Sequence, residues 1–183
     1  DRLGPLGGDP SFDKDVEDCF GGAPANVACG LARLGSIVAF LGRFGKDQIA
    51  TRFLDLMRVR RVNLLGTQID PKRPTRVVLV RRDLTGERLF QGFAGDAGIG
   101  FADQALDLAE IMGIWPQLAL NARWLLVGTI PLATHSSAES FLWALQQADI
   151  SGLKIALDIN WRPTFWNMDS APNSGPDEIA LQT

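Results

Sequence analysis

The chain has 183 residues, 46% hydrophobic and 21% charged, a balance that fits a packed soluble domain and excludes a disordered tail. A net charge of −3 gives no electrostatic attraction for nucleic acid or an anionic membrane, and no apolar run is long enough to span a bilayer. The two cysteines do not require a disulfide, and a single histidine, His135, excludes any mechanism or metal site that needs two imidazoles. With no basic-then-apolar leader, the expectation is a cytoplasmic protein without nucleic-acid or membrane partners and without a metal site of its own.

Residues Pro24 to Leu34 predict a helix, with Val27, Leu31 and Leu34 on one face and Gly35 ending it. Ile37 to Leu41 predicts a strand buried on both faces and broken by Gly42 and Gly45. Asp47 then caps a helix carrying Ile49, Phe53, Leu56 and Met57, and Arg58, Arg60 and Arg61 complement the dipole at its end. Thr75 to Arg82 and Glu87 to Phe93 flank the turn Asp83-Leu84-Thr85-Gly86 and predict an antiparallel hairpin. A helix over Ala102 to Met112 and a buried strand over Trp124 to Val127 follow. Next come a helix over Ser136 to Ala148, opened by the capping-box spacing Ser136 to Glu139, and a strand over Ile155 to Ile159. Ser170 to Gly175 is the one linker-like stretch, and Gly175-Pro176-Asp177-Glu178 has the proline and acids of a helix start. That start comes close to the last residue, and Asp1 to Pro5 enter with no strand before them, so both ends read as cut. The alternation argues for an α/β fold with a mostly parallel sheet flanked by helices; the hairpin and the residues up to Phe20 would form a small separate sheet.

Two stretches carry chemistry. In Gly21-Gly22-Ala23-Pro24-Ala25-Asn26, glycines at a helix N-terminus expose backbone N–H groups, and the Asn26 amide adds a donor and an acceptor. Such a set suits neutral hydroxyls, although an ordinary tight turn explains the spacing equally well. Asp158-Ile159-Asn160-Trp161-Arg162-Pro163 follows a strand, where parallel sheets place ligands. Asp158 and Arg162 could equally pair with each other in a solvated loop. The remaining signals are bland: His135, Ser136 and Ser137 read as a helix start, and Gly42 to Asp47 is not a P-loop. Gly92 to Gly100 lacks dinucleotide-site order, and of the five tryptophans only Trp161 and Trp166 adjoin a suspected site.

The run Gly21 to Gly35, GGAPANVACGLARLG, resembles the first signature of the PfkB (ribokinase-like) carbohydrate kinases. Gly42-Arg43-Phe44-Gly45-Lys46-Asp47 continues the resemblance, with Ala50 where a further glycine is common. Gly86-Glu87-Arg88-Leu89-Phe90 is similar to the family's lid strands, and Asp158 to Arg162 with Trp166 resembles the segment of fructokinases and 2-keto-3-deoxygluconate kinases. The resemblance implies that residues 1–183 are the N-terminal part of a kinase domain with an antiparallel β lid, its strands within about 3–20 and 75–93. It implies ATP-dependent phosphorylation, with Mg²⁺, of a primary hydroxyl of a small sugar, fructose first. Another keto sugar such as 2-keto-3-deoxygluconate is the alternative, as is a non-catalytic sugar-binding module.

By that resemblance Asp1, Gly21, Gly22, Asn26 and Asn160 hold the sugar, Arg88 and Phe90 close over it, and Arg162 serves the transferred phosphate. The lid is a possible homodimer surface. The family's nucleotide loops and Gly-Ala-Gly-Asp base motif are not found up to Thr183; Phe93-Ala94-Gly95-Asp96 imitates the motif but comes too early, so Asp96 is rejected as the base and the chain alone is expected to be inactive.

Overall fold

The computed structural model describes residues 1–167, 169–171, 174–178 and 181. Its strands are β1 (Arg2–Leu6), β2 (Glu17–Asp18), β3 (Ala39–Gly45), β4 (Asn63–Asp70), β5 (Val77–Arg82), β6 (Arg88–Ala94), β7 (Trp124–Gly128) and β8 (Lys154–Asp158). The α-helices are α1 (Ala23–Arg33), α2 (Gln48–Val59), α3 (Leu108–Ala119), α4 (His135–Ile150) and the single turn α5 (Pro163–Trp166). No helix among the described residues is long and apolar enough to cross a membrane.

Parallel pairing dominates the body: β3 runs beside β4, and β7 beside β8. A separate four-stranded sheet has the order β2-β1-β5-β6. The β5–β6 hairpin is antiparallel as expected, but β1 joins β5 in parallel, so the lid sheet is mixed. Asp83 closes the hairpin turn: its Oδ1 accepts from the Thr85 and Glu87 N–H groups at 2.8 and 2.9 Å. The Thr85 hydroxyl, which donates to the same oxygen at 2.7 Å, leads these backbone N–H groups in holding its carboxyl below the ordinary aspartate range.

Several elements differ from the sequence reading for identifiable reasons. Helix α1 buries its small face, Ala25, Ala28 and Cys29, against Met57 and Val62. Val27, Leu31 and Leu34 are exposed, because short side chains let this helix lie closer to its neighbours than a Leu–Val face allows. Strand β3 runs through Gly42 to Gly45 instead of breaking there. Its partner β4 has no counterpart in the sequence reading, because its buried Gln68 and Asp70 hide the apolar pattern of a core strand. Gly66 is needed inside β4, since a Cβ there would stand 2.8 Å from the Phe40 carbonyl oxygen on β3. Residues 102–104 form only a 3₁₀ turn; the helix begins at Leu108, capped by the Asp107 side chain, and continues past Pro116.

The capping box at Ser136 is not formed. Thr134 precedes α4, and the serines of its first turns point to another segment. Ser136 and Ser140 donate to the Leu106 carbonyl at 3.0 and 3.1 Å, and Ser137 donates to that of Asp103 at 2.9 Å. They strap residues 103–106 to the helix and satisfy carbonyls that would otherwise be buried without partners. The linker-like stretch and the helix start after Gly175 lie partly outside the described residues.

Candidate functional site

A cavity of about 330 Å³ is bounded by residues of the lid sheet and of the body. The Gly-Gly turn and Asp1 form one wall, Arg43 and Phe44 of β3 another, and Arg76 to Val78 at the start of β5 a third. Its size is at the small end of ligand clefts.

The Gly-Gly wall is built by backbone conformation. Gly22 has φ of +103°, a region that side-chain-bearing residues rarely enter, and its hydrogen-bearing side faces open space. Gly21 instead lies against a side chain: a Cβ there would come 2.8 Å from Asp1 Oδ2. Asp1 is held in place by its α-amino group, which donates to the Cys19 carbonyl at 2.8 Å. Glycine at both positions thus leaves room for the Asp1 carboxylate and for a ligand to approach the backbone beside one opening.

An ionic network backs the cavity at Arg43. Its Nε lies 3.2 Å from Asp70 Oδ2, and its Nη1 donates to Gln68 Oε1 at 3.4 Å. Asp70 is almost wholly buried, which opposes its ionisation. The N–H groups of Arg73 and Lys72, each 2.8 Å from Oδ1, and the Arg43 guanidinium outweigh that burial and hold its pKa below the ordinary value. A depressed folded pKa stabilises the fold above the unfolded value and loses that contribution as pH falls through the folded one. Stability should therefore decline below about pH 4. Asp70→Asn is expected to be less stable at neutral pH and to show a shallower acid limb when unfolding is followed by circular dichroism; parallel limbs would remove Asp70 from the titration.

The β3–α2–β5 corner is fixed by Asp47. Its Oδ1 accepts from the Ala50 N–H at 2.8 Å and caps α2, while Oδ2 accepts from the Thr75 N–H at 2.8 Å. The Thr75 hydroxyl in turn accepts from the Gly45 N–H at 2.9 Å. Gly45-Lys46-Asp47 therefore sets where the lid strand leaves the body. A Cβ on Gly45 would meet Asp47 Oδ2 at 2.5 Å, Thr75 N at 2.5 Å and the Arg73 carbonyl oxygen at 2.7 Å.

Of the residues singled out from sequence, Asp1, Gly21 and Gly22 are brought together on the cavity wall. Asn26 is exposed on the first turn of α1 and outside the lining, as is Arg88 on β6. Phe90 packs edge-on to Phe93 at 5.2 Å. Asn160 and Arg162 follow β8 outside the lining; the Arg162 Nη1 donates to the Trp161 carbonyl at 3.2 Å, while Phe165 of the adjoining α5 does reach the cavity. Asp96 is a turn residue, its Oδ1 accepting from the N–H groups of Gly98, Ile99 and Gly100. His135 is exposed at the first position of α4. Among the cavity residues to which no sequence motif assigns a chemical role are Arg76, Asp103 and Phe165, which lie far apart in the chain.

The pfkB family carbohydrate kinase profile matches residues 6–176. Among curated relatives, Fructokinase-2 of Oryza sativa subsp. japonica is 31% identical over 85% of this chain and 44% of its own length. A fructokinase of Vibrio alginolyticus is 34% identical over 88% of this chain and 50% of its own. Among solved structures, fructokinase with bound ATP from Xylella fastidiosa superposes with a TM-score of 0.77 at 26% identity, covering 93% of this chain and 52% of that one. The fructose, ADP and calcium ion bound form of fructokinase from Vibrio cholerae O395 gives 0.69 at 32% identity, covering 84% and 47%. The chain spans about half the length of the curated relatives it matches. With the two-glycine turn, the Asp47 corner and the mixed lid sheet in the same chain, this is a member of the pfkB family of carbohydrate kinases.

Proposed function

We propose that this chain is the sugar-holding part of an ATP-dependent kinase that phosphorylates a primary hydroxyl of fructose. The observation that carries the reading is the cavity wall on which the Asp1 carboxylate and the Gly21-Gly22 backbone face one opening under the lid strands. A carboxylate accepts from sugar hydroxyls and backbone N–H groups donate to them, so the wall matches a ligand whose groups do both. Fructose is the favoured sugar because the relatives that match are named fructokinases, one of them solved with fructose and ADP. Asn26, Arg88, Phe90 and Asn160 enter this proposal by resemblance, as residues that would reach the sugar when the lid and the loop after β8 close on it.

ATP, when bound, supplies the phosphoryl group. Among the described residues no group of three or more histidine, cysteine or carboxylate side chains is placed to hold a metal ion by itself. Mg²⁺ would enter with the ATP phosphates, which supply most of its ligands. What this chain contributes is binding and orientation: Asp1 and the glycine turn fix the sugar, the lid sheet excludes water, and Arg162 offers a permanent charge to the transferring group. We place the protein in the cytoplasm, with a second copy meeting it through the lid.

The test is fructose-dependent ADP release by the full-length polypeptide that carries this segment. Arg162→Lys should lower kcat more than it raises the fructose KM, because lysine keeps the charge and loses the fork. Absence of any sugar-dependent turnover by the wild type would overturn the proposal, and a change in stability alone in the variant would return Arg162 to a structural role.

A further inference from the structure

Arg76 is the residue immediately before β5; it falls within the predicted strand Thr75 to Arg82, where no motif assigns it a chemical role. Only 10% of its side chain is exposed. Its Nε donates to Asp103, 3.0 Å from Oδ2 and 3.3 Å from Oδ1. The guanidinium carbon lies 4.6 Å from the ring centre of Phe93, 4.5 Å from that of Phe101 and 4.6 Å from that of Phe165.

The rings come from separate parts of the fold. Phe93 belongs to β6 of the lid sheet, Phe101 enters the 3₁₀ turn at 102–104, and Phe165 sits in α5 after the second motif. Phe93 packs edge-on against Phe165 at 4.9 Å and lies 5.8 Å from Phe101, so the cation is the shared centre of one cluster. An aromatic face attracts a cation, and a planar guanidinium can stack while its in-plane N–H groups still bond a carboxylate. A neutral side chain would leave Asp103 without its partner and the rings without their common contact. Packing alone does not explain the location, because Arg76, Asp103 and Phe165 all line the cavity.

We propose that Arg76 is a positioning residue that latches the lid sheet to α5, so that closure over the cavity also sets the segment beginning at Arg162. Lid movement is passed through Arg76 and Phe93 to Phe165, three residues beyond Arg162. The consequence for sugar rests on the kinase reading above; the mechanical coupling of lid to α5 does not.

Two measurements on the full-length polypeptide test the latch. In unliganded hydrogen exchange, Arg76→Gln should speed exchange about tenfold in 77–82 and 88–94 and, together with them, in 164–167; Arg76→Lys, which keeps the cation, should restore most of the protection. Faster exchange confined to the lid, or none in either region, overturns the coupling. Should Arg76→Gln fail to fold, Phe165→Leu makes the same test from the α5 side and should speed exchange in 88–94. In kinetics, Arg76→Gln should raise the fructose KM about tenfold and leave that of ATP within about twofold, again with rescue by lysine. A uniform drop in kcat with an unchanged fructose KM would mark mere loss of folded protein and overturn the positioning role. If the wild type phosphorylates no sugar, the kinase reading falls and the unliganded exchange still decides the latch.

Discussion

Gly45→Ala is expected to lower stability by about 3 kcal/mol or more. The added carbon would meet two backbone atoms, Thr75 N and the Arg73 carbonyl oxygen, besides the Asp47 carboxylate, all closer than a real Cβ approaches. A flexible side-chain tip could swing aside, but this corner cannot, because Asp47 and Thr75 are each held by further hydrogen bonds. Asp47→Ala probes the same corner from the other side. It removes the α2 cap, worth about 1 kcal/mol, and strips the Thr75 N–H of its acceptor, worth about 1–3 kcal/mol more. Urea unfolding measures both; a Gly45→Ala midpoint equal to that of the wild type would mean the corner opens more readily than its bonding indicates. The larger share of the Asp47→Ala loss should appear as lid exposure, since the residue joins the body to the start of β5.

The second large effect concerns turnover by the purified 183-residue chain. Assayed with ATP, Mg²⁺ and fructose, it should release no sugar-dependent ADP. A positioned base contributes about 10²–10⁴ in rate, and a donor that stabilises charge on the transferring group about 10²–10³. Of the carboxylates that line the cavity, Asp103 is paired with Arg76, Asp18 with Arg2, and Asp1 is the one assigned to holding the sugar; Asp96 lies outside the lining and accepts from three backbone N–H groups. Sugar-dependent ADP release near the rate of a complete fructokinase would show that the catalytic groups lie within these residues and would reopen the assignment of every carboxylate on the cavity wall.

Local signals in the sequence were sufficient where one residue's chemistry decides the structure. The Asp83 turn, the Asp47 cap and the helix expected from Pro24, which begins one residue earlier at Ala23, are all legible, because turn and cap preferences act within a few residues. Reading failed where tertiary packing overrides local pattern. Val27, Leu31 and Leu34 form the more hydrophobic stripe of α1, yet the neighbours of that helix accept only its alanine and cysteine face. Strand β4 is hidden for the opposite reason: Gln68 and Asp70 look exposed in sequence and are buried because Arg43, Arg73 and Asp107 satisfy them. The site divides the same way. Gly21 and Gly22 announce themselves by type, whereas Arg76, Asp103 and Phe165 meet only through the fold, and no spacing rule joins residues so far apart in sequence.

The parallel register of β1 with β5 has a further consequence, for the order in which the molecule assembles. Arg2 pairs with Leu79, and the Arg82 guanidinium Nε donates to the Gly4 carbonyl at 2.8 Å, so β1, beyond its local antiparallel pairing with β2, finds its second partner only across a long loop. Closing such a loop costs entropy before any contact repays it, whereas the β5–β6 hairpin closes locally. The hairpin therefore forms first and presents an open edge, and β1 docks onto it afterwards. During synthesis β1 can pair only with β2 until the hairpin has left the ribosome. Folding should accordingly show β1 gaining protection in a later phase than β5 and β6, and the interval before that phase is when the hairpin edge is exposed to pairing with another chain.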